Sequence, residues 1–283
     1  GELNILDGAS EYEPWLSEAE VAARRARLGL EEPAAAAFAE RCEFISLGNF
    51  CGVARALQAT GLKRRAYPFD WVRSPLWGVE HCLETDFEDF LTFSTSRSED
   101  EHKLKIYQAS RWGGSFWHHD PLSPAVKSDM VRRIERLLGL ECGDTAGRPR
   151  VFVRAANSTQ ELEAAPRLLE RLGGLLPGEQ VRLLVLVDFQ LAPGQLRLED
   201  GNERLLFHRL HESSFTQTPW SMQRVAESYA EAVAAAVRVW AAGPAAWAAV
   251  PSVRGLRGLA EALDHFDGGS TASDSFWPRR LQG

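Results

Sequence analysis

Three patterns of apolar positions run along the chain, and each predicts a different element. Unbroken apolar or β-branched runs occur at Phe44, Ile45 and Leu47, at RVFVR (150–154) and at RLLVLV (182–187). Runs without alternation predict strands covered on both faces, as in a parallel sheet. Arg204 to His208 predicts one more strand. Apolar positions three and four apart predict helices instead. The clearest runs from Ser221 to Trp240, with Met222, Val225, Tyr229, Val233, Val237 and Trp240 on one face. Another follows Ser123-Pro124, with Val126, Met130, Ile134, Leu137 and Leu138 in register, and residues 74–93 are mostly helical in period. Residues 1–14 and 244–283 show neither pattern.

Local punctuation sharpens these boundaries. Ser17 opens a helix with Glu18 and Glu20 in its first turn and Arg24, Arg25 and Arg27 later, an order that suits the helix dipole. Pro33 starts a second short helix, and Gly61 predicts a left-handed cap after a helix from Gly52 to Ala59. Ser158 and Glu161 read as a capping box for a helix through Leu172. YPFDW (67–71) reads as irregular or edge structure, 94–103 as a charged loop, and RWGGSFWHHD (111–120) as a structured loop or short strand. Strand, helix and strand between 150 and 187 make a βαβ unit, which requires a parallel pair. The expected fold is α/β, with a mixed, largely parallel sheet, helices on both faces and irregular N- and C-terminal arms. Its expected parts are an arm with helices at 1–42, a core domain at 43–243 and an arm at 244–283.

Charge and cysteine usage narrow the function classes. The net charge of −7, with no basic cluster interleaved with aromatics, argues against a nucleic-acid partner. No apolar run reaches the roughly 18–20 residues that span a bilayer, so only peripheral membrane docking stays open. Cys42, Cys51, Cys82 and Cys142 show no CxxC or CxxH spacing, which argues against a zinc site and a disulfide framework and fits a reducing compartment. The start at Gly1 reads as a processed or cloned end, so the compartment, cytoplasm or organelle interior, is not encoded. The 48–52 turn has neither GxGxxG nor a Walker pattern, and no cofactor or metal is expected.

One stretch raises a chemical question. In FISLGNFCGVARAL (44–57), Cys51 stands where a strand turns into a helix. The unpaired N–H groups and positive end of a helix favour a thiolate and predict a lowered pKa for this cysteine. Gly48, Asn49 and Gly52 would let the backbone approach a substrate, and the turn N–H groups would line an oxyanion hole. A thiol nucleophile needs a base, and WHHD (117–120) offers one. Asp188, ending a buried strand, lies where α/β sheets present ligands, or else caps the next element.

SLGNFC (46–51), PFDW (68–71), HHD (118–120) and FVR (152–154) occur in the order seen in the family of putative papain-like cysteine peptidases. The chain resembles that family over roughly residues 43–240. The resemblance implies Cys51 as nucleophile, His119 as base and Asp70 as its orienter, in a cysteine hydrolase or acyl transferase. A second reading stays open. It is a catalytically silent member that docks on a larger assembly, for example an organellar photosynthetic membrane complex. Its protein partner would be gripped by the arms, with Trp15, Trp247 and Trp277 as anchors.

Overall fold

The structure is a computed structural model that describes residues 13–99, 104–140, 147–156, 158–178, 180–199 and 202–267. After a 3-10 turn at Pro14–Leu16, α1 (Glu18–Arg27) starts where Ser17 Oγ accepts the Glu20 N–H at 3.4 Å. α2 (Pro33–Arg41) leads into β1 (Glu43–Ser46), and α3 (Gly52–Ala59) follows the cysteine turn. A small sheet comes next, from β2 (Val72–Arg73), β3 (Thr95–Glu99), β4 (Leu104–Gln108) and β5 (Ser115–Phe116), with α4 (Leu76–Glu84) after β2. α5 (Pro124–Leu137) returns the chain to β6 (Arg150–Ala155), and α6 (Ala165–Leu175) joins it to β7 (Val181–Gln190). The rest is β8 (Gly194–Leu198), β9 (Leu205–His211), α7 (Ser213–Thr216), α8 (Met222–Ala242), α9 (Pro244–Ala249), β10 (Ser252–Val253) and α10 (Gly255–Glu261).

The main sheet has the order β1-β6-β7-β9-β8-β10. β1, β6, β7 and β9 are parallel, while β8 runs antiparallel to β9. The fold is therefore mixed α/β with a mostly parallel sheet. Register assigns the faces, because paired residues point the same way and successive ones alternate. On β7, Arg182 lies over the Phe38 ring of α2 and Asp188 meets Tyr229 of α8, so one face carries α2 and α8. On β6, Arg150 and Arg154 point to the other face, where Arg150 donates to the carbonyls of Arg136 and Leu137 in α5 at 3.0 and 2.8 Å. Coverage on both sides explains why Leu183 to Val187 are buried throughout.

Some segments differ from expectation. Residues 95–99, predicted to lie in a charged loop, pair with 104–108 in an antiparallel hairpin, because β3 is polar on both faces and carries no alternation to read. Ser158 does not cap the next helix; Thr159–Ala164 is a 3-10 segment, and the Glu161 carboxylate faces Arg154 and the Leu76 N–H instead. Residues 244–267, expected to be irregular, include α9, β10 and α10 packed on the core. Trp247 is buried there beneath Arg197, and Phe266 packs against Phe189. Trp15 is buried against Ala59 and Ala226, with Arg24 near its ring. These two tryptophans, expected as anchors for a partner, are thus spent on the chain's own packing. Trp277 and Cys142 lie outside the described residues. No described helix is long and apolar enough to cross a membrane.

Candidate functional site

The cysteine turn is built from the end of β1 outward. Gly48 and Asn49 both adopt positive φ, at 74° and 86°. A Cβ on Gly48 would stand 2.6 Å from Ser74 Oγ and 2.9 Å from the Phe69 carbonyl, so only glycine fits. A Cβ on Gly52 would meet the Phe50 ring at 2.5 Å. Gly48 N–H donates to Ser46 Oγ at 3.1 Å and Asn49 N–H to Ser74 Oγ at 3.2 Å. Of the three turn residues expected to line an oxyanion hole, Gly48 and Asn49 therefore have their N–H groups occupied, and Gly52, among the described residues, does not. No side chain caps α3, so its first-turn N–H groups are the donors left to face a ligand.

Arg154, the arginine of FVR, clamps this turn. Its Nη1 donates to the Leu47 carbonyl at 3.1 Å, the Ser74 carbonyl at 2.7 Å and Ser74 Oγ at 3.1 Å. Its Nη2 reaches both Glu161 oxygens at 3.3 and 3.1 Å, and Glu161 also accepts the Leu76 N–H at 2.8 Å. The signal for this role was present in the sequence as a charged residue inside an apolar strand, which demands a buried partner.

Cys51 sits at the N-cap of α3, half-buried. Burial pushes its thiol up to about 11, against the lowering pull of Arg55 and Arg73, while Glu13 adds to the rise. The expected lowering by the helix N-terminus is overturned because desolvation of the thiolate outweighs it. Arg55, one turn further along α3, pairs with Glu13 at 2.6 Å and lies 4.7 Å from the Trp71 ring centroid. The His118 ring meets the same Trp71 edge-on at 5.7 Å. Burial and the nearby Arg55 lower His118 to about 4. His119 is also lowered to about 4, by burial and then by Arg133 and His118, with Asp129 opposing, and its Nδ1 is buried without a hydrogen bond. The thiol and His118 thus share Arg55 as a neighbour, whereas the charges that act on His119 besides its burial are Arg133 and Asp129 of α5 and His118. Among the described residues no hydrogen bond joins Cys51 to either histidine.

Asp70 has a different partner from the one the resemblance implies. It is fully buried, and its Oδ2 is held by Lys63 Nζ and by the Tyr67 N–H at 2.7 Å. A carboxylate in this position needs a cation, and Lys63 supplies it. On the opposite side of the cysteine turn, Phe50 packs edge-on against Tyr229, whose hydroxyl donates to Asp188 Oδ2 at 2.7 Å. Burial raises Asp188 well above the carboxylate range, and its Oδ1 has no partner. Among the described residues, no group of three or more His, Cys, Asp or Glu is placed to hold a metal ion.

This geometry can be set beside known proteins. Residues 42–177 match the family described as putative papain-like cysteine peptidase. The matched segment holds the cysteine turn, the small sheet, both histidines, Arg154 and Glu161. An uncharacterized protein of Acanthamoeba polyphaga mimivirus is 28% identical over 161 residues, covering 47% of this chain and 71% of that protein. No solved structure matches the chain.

Proposed function

We propose that the chain is a cysteine hydrolase or acyl transferase in which Cys51 is the nucleophile. The observation that carries this reading is the rigid turn that sets a half-buried thiol at the uncapped start of α3, beyond the C-terminal end of a parallel strand. Cys51 Sγ attacks a carbonyl carbon and gives its proton to a neutral imidazole of the His118–His119 pair. The leaving group departs with that proton, and water then hydrolyses the thioester. The donors for the developing oxyanion are the first-turn N–H groups of α3. Because the resting thiol and imidazoles are both neutral, the pair works by general-base catalysis rather than as a preformed ion pair.

The silent-member reading has its own support. A thiol near 11, with both imidazoles near 4 and Asp70 committed to Lys63, is a weak nucleophile at rest. Incubation with p-nitrophenyl acetate followed by peptide mapping separates the two. The enzyme reading expects an acetyl group on Cys51 before Cys42 or Cys82, formed more slowly in His118→Ala or His119→Ala. Acetylation of no cysteine until the protein unfolds would leave the silent reading standing.

A further inference from the structure

We propose that Arg55 anchors a carboxylate carried by the substrate, and that Glu13 occupies this subsite in the unliganded chain. The inference rests on the Cys51 reading and names the substrate class for that site: an acyl donor with an anionic group close to the bond attacked.

Arg55 lies four residues after Cys51 on α3, with its N–H bonded to the Cys51 carbonyl at 2.9 Å. Residues at this spacing share one helix face. The Trp71 ring backs the guanidinium, and Gln58 Oε1 holds its Nη1 at 3.3 Å. A guanidinium fixed against an aromatic ring presents its fork to carboxylates in one orientation. The structure contains a carboxylate there already. Glu13 Oε2 lies 2.6 Å from Arg55 Nη1, and among the described residues this is the only partner of the Glu13 side chain.

Partial exposure leaves the pair open to exchange. Glu13 and Arg55 keep 22% and 21% of their side-chain surface, whereas Lys63 and Asp70 keep 1% and 0%. A pair open to water is held weakly and an external carboxylate can replace it, while a sealed pair cannot be exchanged. Glu13 also precedes the 3-10 turn whose Trp15 is fastened against Ala59 and Ala226. The carboxylate can therefore leave Arg55 without unpacking the core. Once it leaves, the two cations that lower the thiol, Arg55 and Arg73, no longer have Glu13 acting against them.

The test compares alkylation of Cys51 by iodoacetate, which carries a carboxylate, with alkylation by neutral iodoacetamide. Glu13→Gln should raise the iodoacetate-to-iodoacetamide rate ratio by about tenfold, and the added change Arg55→Gln should cancel that gain. Arg55→Lys, which keeps the charge but loses the fork, should retain part of it. In the unaltered chain, glutarate should slow iodoacetamide labelling of Cys51 while glutaramide does not. An unchanged ratio in Glu13→Gln, with Cys51 still labelled, would overturn the subsite and leave the thiol reading intact. If Cys51 is labelled by neither reagent in any folded variant, the thiol reading falls. The subsite is then judged by melting temperature alone. Glutarate should stabilise Glu13→Gln and not Glu13→Gln/Arg55→Gln, and equal shifts in both would overturn it.

Discussion

Replacing Arg154 with methionine tests whether the FVR arginine is what holds the cysteine turn. Methionine keeps most of the volume and removes every donor. In the native chain, Arg154 is 1% exposed and supplies five hydrogen bonds, to Leu47, Ser74 and Glu161. The variant leaves two buried carbonyls short of a donor and the Glu161 carboxylate without its cation. Breaking a buried pair from one side costs about 3–5 kcal/mol, a large fraction of the roughly 5–15 kcal/mol that holds a domain folded. At about 2–4 °C per kcal/mol for a domain of this size, the melting temperature should fall by roughly 6–20 °C. Glu161→Gln combined with Arg154→Met should lose less than the sum of the single changes, with a coupling of about 1 kcal/mol or more. Thermal unfolding measures the melting temperature, urea denaturation with linear extrapolation measures the loss and the coupling, and Cys51 alkylation in the folded state reports on the turn itself. A loss below about 1 kcal/mol, with unchanged labelling of Cys51, would refute the clamp.

Two further outcomes follow from buried titrating groups. Alkylation of native Cys51 by iodoacetamide should rise about tenfold per pH unit through pH 9 toward its raised pKa near 11; a plateau at about pH 6–7 would show an activated thiolate instead. Asp188 is held protonated by burial, so its contribution is fully present below the unfolded carboxylate pKa of about 4 and is lost as pH rises through its folded value. The stability advantage of the native chain over Asp188→Asn should therefore shrink between pH 5 and pH 8, and an advantage that is flat or growing would contradict it.

The parts of the fold that were legible in the sequence are those where pattern and chemistry agree locally. β7 reads as a strand because every position from Leu183 to Val187 is covered, and α8 reads as a helix because Ser221 Oγ accepts the Arg224 N–H at 3.1 Å and one apolar stripe follows. Cys51 at the strand-to-helix turn was equally readable, since Gly48 and the helix start at Gly52 are local features. What a single sequence hides is which partner a polar residue finds. Ser158 and Glu161 fit a capping box by spacing, yet Glu161 is drawn to Arg154, a neighbour only in the folded sheet. Asp70 looked available to a histidine until Lys63, seven residues earlier, took it. Trp15 and Trp247 stand in segments without periodicity, so nothing local showed that the core would absorb them.

The clamp on the cysteine turn joins residues that the ribosome makes far apart in time. Arg154 is 107 residues beyond Leu47 and 80 beyond Ser74. At synthesis rates of about 5–20 residues per second, the Cys51 segment waits roughly 5–20 s before its brace exists. Throughout that interval the thiol titrates as it does in an unfolded chain. Folding then raises it from 9.0 to about 11, which cuts the thiolate fraction near neutral pH by about a hundredfold. Oxidants and stray electrophiles therefore threaten this cysteine most while it is nascent, before the core that buries it, Tyr229 of α8 included, has closed.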